Sequence, residues 1–421
     1  MRVTVIGAGL LGLSSAWYLS RQGHEVTVLE RNAGCALETS HANASLLTPS
    51  LCEPWVGPGR IRGLLSALFE RDASVRIDPR GLRGVVSWGL RALPRSSRAH
   101  FLRGLGANLA LARRSLELLR ELDATAPPSG FDHVARGTLM CFRDAATLRH
   151  GISELRTLET FGVRGEVLDV AAMARVEPAL RDVADRMAGA IHYPEDEHGD
   201  PYRFCRLLEA GCRAQGVRLE CGVEVQGLER RGTRIVALHT SAGRRESDQI
   251  VLAAGSASAR IARSAGLGIA LCPVRGYSLT LTLPPGSQPP RVPVLDSASH
   301  FCATPLGGRL RVSGYAELGG EDTRLRPDRT AALYAAAREL FPALLDPAMP
   351  PSLSPWCGLR PLSADSVPLI GPTGIENLML NTGHGTLGWT LALGSGRLLA
   401  DLLSRADPGL PPEPYLPGRF R

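Results

Sequence analysis

A glycine-rich turn near the start of the chain constrains the fold more than any other stretch of the sequence. Val3–Ile6 is a short apolar run rich in β-branched residues, which predicts a buried strand. An apolar segment from Leu10 to Gln22 follows the turn and predicts a helix, and Glu25–Leu29 predicts a second strand that ends at Glu30. Strand, glycine turn, helix and strand in this order are typical of the first unit of a parallel α/β sheet.

The turn reads Gly7-Ala8-Gly9-Leu10-Leu11-Gly12, and each glycine has a physical reason. The first permits a tight turn, the second lets the backbone approach a pyrophosphate, and the third lets helix and strand pack closely. The helix N-terminus offers free N–H groups and a positive dipole end to phosphates, and the terminal acid can accept hydrogen bonds from a ribose. The motif leaves NAD and FAD open. We expect a bound dinucleotide to contact Gly7, Gly9, Leu10, Leu11, Gly12, Glu30 and Arg31.

The composition excludes several other enzyme classes. All 48 basic residues are arginine, because the sequence contains no lysine, and the net charge is +7. Without a lysine amine the chain cannot form a Schiff base with pyridoxal phosphate, complete a Walker-type phosphate loop or supply a Tyr/Lys dehydrogenase pair. A length of 421 residues favours two domains over a single core.

The nine cysteines are scattered without a CxxC pair or any other metal-ligand spacing, so we expect no metal site. An odd number of thiols in a chain of this length favours a reducing compartment over a disulfide framework. The apolar stretch Val3–Leu19 is interrupted by glycine and serine and lacks a cleavage site, so we interpret it as the dinucleotide motif rather than a targeting or membrane segment. The expected location is cytoplasmic.

Residues 60–103 form a basic segment with ten arginines and three acids. Two interpretations of this segment stay open. One is peripheral contact with the anionic inner face of the plasma membrane, and the other is a pair of domain helices with a solvated basic face. Nucleic acid is not an expected partner, because no binding motif is present. Apolar residues recur in the segment at helical spacing in two pieces, Ile61/Leu64/Leu65/Leu68 and Val85/Trp88/Leu90/Leu93.

Downstream segments add further elements. The apolar run that closes on Ala253-Ala254-Gly255 predicts a strand whose end lets a ligand approach the backbone. A glycine-rich turn over residues 381–390 precedes a long helix, which predicts a second positive helix end near a ligand. Other helices are predicted over Ala107–Leu122, Leu148–Phe161, Pro201–Ala214 with Asp200 as its cap, and Arg329–Phe341.

Five segments together resemble the D-amino-acid-oxidase-like family of FAD oxidoreductases. They are GAGLLGLSSAWYLSRQGHEVTVLE, ALETSHANASLLTPS, PVRGYSLTL, GLRPLSADSVPLIG and LNTGHGTLGWTLALGSGRLLADLL, of which the last two are the most specific. Within that family the resemblance is closest to the small, catalytic subunits of bacterial D-amino acid dehydrogenases.

The resemblance implies non-covalently bound FAD and oxidative deamination of a D-amino acid to a 2-oxo acid and ammonia. Electrons would pass to a quinone or another acceptor rather than to O2, and partner subunits are implied as well. Relatives that oxidise D-proline, D-hydroxyproline, glycine or sarcosine leave the identity of the substrate open.

The same resemblance implies roles for individual residues. Arg360 falls where relatives hold the substrate carboxylate, and Arg275 falls where several have a second basic residue. We add Tyr277, Tyr315 and His384 as candidates near the reacting atoms. The FAD contacts expected beyond the N-terminal motif are Thr39, Ser40, Asn43, Ala44, Val225, Ala254, Gly255, Arg360, Gly385, Thr386, Leu387, Gly388, Trp389 and Thr390.

The implied fold is α/β, or α+β overall. A Rossmann-like FAD-binding domain would be interleaved with a mixed-sheet substrate domain, as in D-amino acid oxidase and glycine oxidase. We expect the FAD-binding domain to comprise residues 1–60, 195–272 and 355–421, and the substrate domain to comprise residues 61–194 and 273–354.

Overall fold

The computed structural model describes residues 1–59, 75–123, 130–345 and 350–420. Within these ranges the helices are α1 Leu10–Arg21, α2 Leu82–Ala92, α3 Arg98–Asp123, α4 Ala145–Glu159, α5 Val170–Val176, α6 Pro201–Ala214, α7 Ser258–Ser264, α8 Pro327–Leu340 and α9 Ala392–Ser404. The strands are β1 Arg2–Ile6, β2 Glu25–Glu30, β3 Leu46–Leu47, β4 Val75–Ile77, β5 Thr138–Phe142, β6 Glu166–Leu168, β7 Gly189–Tyr193, β8 Glu197–His198, β9 Arg218–Cys221, β10 Val225–Arg231, β11 Arg234–Thr240, β12 Gly243–Arg245, β13 Gln249–Leu252, β14 Leu271–Thr282, β15 Val294–Asp296, β16 Phe301–Leu306, β17 Arg309–Leu318, β18 Ser352–Ser363, β19 Leu369–Pro372 and β20 Leu378–Thr382.

A six-stranded sheet is built around the N-terminal motif, in the order β19-β20-β13-β1-β2-β9. Its neighbouring strands are parallel except for the pair β19 and β20. Val5 of β1 pairs with Val28 of β2 on one side and with Val251 of β13 on the other. Parallel sheets are buried on both faces. Here α1 and α9 share a core with one face, and α7 with the small sheet β10-β11-β12 shares a core with the other.

A second sheet has nine strands. Eight follow the order β18-β14-β17-β16-β15-β5-β7-β6, and β4 pairs with β17 outside that path. Neighbours are antiparallel except in the pairs β15–β5 and β17–β4, so the sheet is mixed, as the resemblance implied. A separate core with Leu279, Val312 and Leu333 covers it on the side of α8.

The predicted domain limits can be compared with the membership of these sheets. The strands of the six-stranded sheet come from residues 1–60, 195–272 and 355–421. However, Ser352–Ser363 forms one continuous strand of the larger sheet, so a limit between residues 354 and 355 would cut β18. The division into two domains stays a prediction.

Two helices can be compared with their predicted bounds, and the second differs because of packing. Pro201–Ala214 forms as predicted, and Asp200 Oδ1 accepts hydrogen bonds from the backbone N–H groups of Tyr202 and Arg203. The helix predicted from Ala107 begins instead at Arg98. Glycine is a poor helix former, yet Gly104 lies inside this helix because a Cβ there would be 3.0 Å from Pro54. Tertiary contact therefore overrides local propensity.

The first apolar piece of the basic segment lies in residues 60–74, outside the described residues. In the second piece, the four apolar residues do not share one face. Val85 and Trp88 are buried against the core, whereas Leu90 and Leu93 are 69% and 57% exposed. The helix α2 is therefore apolar on two sides, one of which faces outward.

Two further observations concern membrane-spanning helices and disulfide bonds. Among the described residues, the helices include none long and apolar enough to cross a membrane. All nine cysteines are free thiols, and eight of them are buried.

Candidate functional site

A cavity of about 650 Å³ lies between the two sheets. Its wall includes the carboxyl ends of β1, β2, β13 and β20, which is where open α/β sheets bind ligands, and parts of β16, β17 and β18. Two predicted reaction-site residues, Tyr315 and His384, line it as well. The predicted dinucleotide contacts that line it are Gly7, Gly9, Leu10, Leu11, Glu30, Arg31, Thr39, Ser40, Asn43, Ala44, Val225, Ala254, Gly255, Arg360, Gly385, Thr386, Leu387, Gly388, Trp389 and Thr390.

The glycine turn packs so tightly that side chains would not fit. Gly7 has φ +103°, and a Cβ there would lie 2.7 Å from the carbonyl oxygen of Ala253. A Cβ on Gly12 would lie 1.8 Å from the carbonyl oxygen of Gly7, so this residue permits contact between helix and strand and does not itself line the cavity. Gly9 precedes α1, whose first N–H groups have no partner within the helix. Gly7 and Gly9 therefore line the cavity with backbone atoms.

Glu30 ends β2 in the cavity wall and is buried. Its Oε2 accepts a hydrogen bond from Ala8 N at 2.8 Å, and its Oε1 accepts from N and Nδ2 of Asn32 at 2.9 and 2.8 Å. A carboxylate offers about four acceptor positions. These three bonds fix its orientation and leave capacity for a ligand hydroxyl.

Two loops close the other end of the cavity. Thr39 Oγ1 donates to the carbonyl of Leu359 at 2.7 Å, and Thr48 N donates to Thr390 Oγ1 at 3.1 Å. These bonds fasten the loop after β2 to β18 and to the C-terminal turn. The long C-terminal helix begins only at Ala392, so the glycine-rich turn itself, and not the first turn of α9, lines the cavity.

Arg360 reaches the cavity by crossing a neighbouring strand. It lies on β18 and pairs with Val274 of β14, and its guanidinium lies over Gly276. A Cβ on Gly276 would be 2.3 Å from Nη2 and 2.4 Å from Cζ, so a larger residue would displace the guanidinium. Beyond β14, Nη1 donates to the carbonyl of Tyr315 on β17 at 2.9 Å.

The Arg360 guanidinium has no carboxylate partner within the ranges that the structure describes. Burial lowers the pKa of Arg360 to about 10, which leaves the group protonated at neutral pH. An unpaired guanidinium in a cavity wall is suited to bind a carboxylate or phosphate through two parallel hydrogen bonds.

Arg275 and Tyr277 do not line the cavity. Successive strand side chains point to opposite faces, and since Gly276 faces the Arg360 guanidinium, its two neighbours face away from it. There Arg275 Nη1 lies 3.1 Å from Glu317 Oε2 and Nη2 lies 3.2 Å from Asp78 Oδ2. The prediction that Arg275 or Tyr277 contacts a substrate has no support in this geometry.

Tyr315 lies in a β-bulge. Arg275 pairs with Glu317, and Tyr277 pairs with Gly314, so β17 places two residues opposite Gly276. Tyr315 is one of the two and has φ +62°. The bulge breaks the regular ladder at this point, and the Tyr315 carbonyl is directed to Arg360 instead.

His384 lines the cavity and is buried. Its Nε2 lies 2.9 Å from Ser395 Oγ of α9, and Nδ1 has no hydrogen-bond partner among the described residues. Burial lowers the pKa of His384 to about 3, so the ring is neutral at physiological pH. The ring therefore adds no positive charge to the cavity wall, and its Nδ1 is enclosed by protein.

Sequence reasoning missed much of the wall on the side of the larger sheet. Strand periodicity predicts which side chains share a face, but it does not predict which face meets a cavity. On this side the sequence predicted Tyr315 and Arg360. The residues missed around the whole cavity, on this side and on the other, include Glu38, Thr48, Trp55, Val75, Met140, Glu224, Arg260, Leu295, Ser297, His300, Phe301, Ser313, Glu321 and Thr323.

Comparison with known proteins supports the resemblance read from the motifs. A family model described as FAD dependent oxidoreductase matches residues 2–402. A D-amino acid dehydrogenase of Methylobacterium radiotolerans is 39% identical over 423 residues, which cover 100% of both chains. A D-amino acid dehydrogenase of Methylobacterium nodulans is 40% identical over 421 residues, which cover 100% of this chain and 99% of that relative.

The fold has relatives among solved structures. Glycine oxidase from Geobacillus kaustophilus aligns with a TM-score of 0.76 over 99% of both chains, at 20% identity. A likeness at this identity concerns the fold, and it confirms the predicted fold class. Because the family model spans nearly the whole length, the chain belongs to the FAD dependent oxidoreductase (DAO) family.

Proposed function

We propose that this chain is an FAD-dependent D-amino acid dehydrogenase. Its substrate would be oxidised to an imino acid, which hydrolyses to a 2-oxo acid and ammonia. One observation carries the proposal: Arg360 offers a guanidinium without a carboxylate partner to the cavity that also contains the dinucleotide turn. Relatives at 39% and 40% identity are named D-amino acid dehydrogenases, which supports a D-amino acid as the substrate.

The cavity residues fit FAD. Gly7 and Gly9 leave room for a pyrophosphate beside the first N–H groups of α1, of which Leu10 N donates to Ser40 Oγ at 3.1 Å, and Glu30 keeps an acceptor position for a ribose hydroxyl. Cys357, the thiol next to the Arg360 motif, does not line the cavity, and burial raises its pKa to about 11. Since the thiolate is the reactive form of cysteine, these facts favour non-covalent binding. When bound, FAD supplies the two-electron oxidant.

Arg360 is the proposed clamp for the substrate carboxylate. Its guanidinium is planar, charged and held at Nη1, so its remaining N–H groups can meet both oxygens of a carboxylate. Anchoring the carboxylate fixes the orientation of the Cα–H bond, and orientation of this kind contributes substantially to rate.

His384 is proposed as a neutral residue of the cavity wall near the clamp. The substrate amine must lose its proton before it is oxidised, and a second cation near Arg360 would oppose binding of an aminium group. Because His384 is neutral, it avoids that repulsion.

The acceptor is proposed to be a quinone or another carrier rather than O2, as the dehydrogenase relatives suggest. The test measures reduction of a quinone analogue and O2 consumption with a panel of D-amino acids, L-amino acids, glycine and D-proline, and it follows ammonia release for the substrates that carry a primary amine. We expect turnover with D-amino acids and the quinone analogue. Turnover only with glycine or D-proline would assign the alternative substrates, and turnover with none would contradict the proposal.

We also propose that α2 binds the surface of an anionic membrane. Leu82, Val86, Leu90 and Leu93 lie three or four residues apart and are 47% to 69% exposed. Residues 79–103 contain six arginines and no acid, which complements an anionic lipid surface. The inward side of α2 shares a core with Trp55, and Trp55 lines the cavity. The helix therefore lies close to the site where a lipid-soluble acceptor is needed.

Sedimentation with lipid vesicles tests this contact. We expect binding to vesicles that contain phosphatidylglycerol, little binding to pure phosphatidylcholine, and weakening by salt because exposed charges are screened. The variants Val86→Ser and Leu90→Ser should each weaken binding, whereas Leu325→Ser, at a residue with 47% exposure outside α2, should not. Equal binding of all variants to both lipids would contradict the contact.

A further inference from the structure

Glu317 joins three elements behind the Arg360 site. It lies on β17 and is buried. Its Oε2 accepts hydrogen bonds from Arg275 Nη1 and from the Tyr277 hydroxyl of β14, each at 3.1 Å. Its Oε1 accepts from Nε of Arg329, on α8, at 3.1 Å. One carboxylate therefore fixes the positions of two arginines and a tyrosine.

Two of these partners enclose the ring of Tyr315. The Arg329 guanidinium lies over the Tyr315 ring at 4.6 Å from its centroid. The Tyr277 ring meets it edge to face, with centroids 6.2 Å apart and planes at 87°. Tyr315 has φ +62°, a conformation that bulky residues rarely adopt without support. The Tyr277 ring and the Arg329 guanidinium supply that support.

The held conformation matters because of the carbonyl of the same residue. Tyr315 O accepts the hydrogen bond from Arg360 Nη1 at 2.9 Å, the only hydrogen bond of this guanidinium among the described residues. A chain of contacts thus runs from Glu317 through Arg329 and Tyr277 to Tyr315 and then to Arg360.

We propose that Glu317 is a positioning residue that keeps the Tyr315 carbonyl, and through it the Arg360 guanidinium, in place to bind the substrate carboxylate. This inference rests on the proposed function of Arg360. It assigns Arg275 and Tyr277 to the support of the site and not to contact with substrate.

The main variant is Glu317→Gln, assayed as the FAD-loaded enzyme. Glu317→Gln leaves Arg360 in the cavity wall and loosens only its support, so we expect weaker binding of the substrate carboxylate to raise KM more than it lowers kcat. We expect KM to rise about tenfold with kcat within about twofold of wild type, and we expect the dissociation constant of the 2-oxo acid product, measured by calorimetry, to rise by about the same factor.

Tyr277→Phe removes only the hydroxyl and keeps the ring against Tyr315, so it provides a milder variant in case Glu317→Gln folds poorly. It should raise KM by about twofold to threefold. The matched control is Glu197→Gln, because Glu197 is also a buried carboxylate with an arginine partner, Arg120, but lies outside the cavity wall. This control should leave KM unchanged.

The possible outcomes separate this inference from the proposed function. If Glu317→Gln and Tyr277→Phe retain FAD with wild-type KM and wild-type affinity for the 2-oxo acid, or if Glu197→Gln raises KM equally, the positioning role is overturned. If wild type oxidises no D-amino acid, the proposed function fails, and the affinity for the 2-oxo acid still tests Glu317.

Discussion

Arg360 and Arg275 lie on adjacent strands of one sheet, yet their surroundings differ in every respect that decides their use. Arg275 is buried between Glu317 and Asp78, on the face of β14 turned away from the cavity. Arg360 lies over Gly276 and has only a backbone carbonyl as partner among the described residues. The same side chain thus stabilises the fold at one position and is left free for a ligand at the other.

The comparison teaches that an arginine near a motif is not informative until its partners are known. Three features separate the two residues: the alternation of faces along β14, the absence of a side chain at Gly276, and the bulge at Tyr315. Substitution of Arg360 tests ligand binding, and substitution of Arg275 tests the stability of the fold.

The largest expected effect is that of Arg360→Ala on catalysis. Removal of one partner from a buried charged pair costs about 2–5 kcal/mol or more, so kcat/KM for a D-amino acid should fall about 1,000-fold. Steady-state kinetics measures the fall, and the flavin absorbance should show that FAD is retained. A loss below about tenfold with FAD bound would show that another group holds the carboxylate.

Arg275→Met should act on stability instead. It leaves a buried Glu317 with fewer partners, and breaking a buried ion pair in this way costs about 3–5 kcal/mol. Chemical denaturation of the FAD-loaded protein measures the free energy of unfolding, which we expect to fall by about 3 kcal/mol. Unchanged stability together with loss of substrate binding would reverse the roles assigned to the two arginines.

Gly276→Ala tests whether the Arg360 side chain needs the space over Gly276 to cross β14. The added Cβ would lie 2.3 Å from Arg360 Nη2, so the guanidinium must move. We expect KM to rise about tenfold to a hundredfold, with a stability loss of about 1–3 kcal/mol from overpacking. Gly358→Ala is not a useful control, since a Cβ there would meet Trp356. Gly268→Ala is the control, because a Cβ there meets no atom within 4 Å, and it should leave KM unchanged.

His384 provides the smallest and most specific effect. Its folded pKa of about 3 lies below the ordinary value of 6.5, so unfolded chains bind a proton that folded chains do not, and stability falls as pH falls below 6.5. At about pH 5 the loss should be about 2 kcal/mol. In His384→Asn the slope of unfolding free energy between about pH 7 and about pH 5 should be shallower than in wild type. An identical slope would show that His384 titrates normally.

Local sequence predicted the N-terminal unit well, because the requirements of its glycines are local. Gly7 needs positive φ and Gly12 needs contact between helix and strand, and both follow from spacing alone. The resemblance located Arg360 and the C-terminal turn. Sequence did not separate Arg360 from Arg275, because that distinction depends on pairing among β14, β17 and β18, strands up to ninety residues apart in the chain.

The sequence did not predict the outward apolar face of α2 either, because that face also depends on packing against other parts of the chain. Helical spacing grouped Val85 and Trp88 with Leu90 and Leu93, and only packing against the core shows that they lie on two sides. Much of the larger-sheet wall of the cavity was missed because strand periodicity does not predict which face of a strand meets the cavity.

The most direct test of this account is a titration of the FAD-loaded protein with the 2-oxo acid product, in wild type, Arg360→Ala and Arg275→Met. The account predicts that the dissociation constant rises about a hundredfold or more in Arg360→Ala and less than about fivefold in Arg275→Met. An equal rise in both variants, or a larger rise in Arg275→Met, would contradict it.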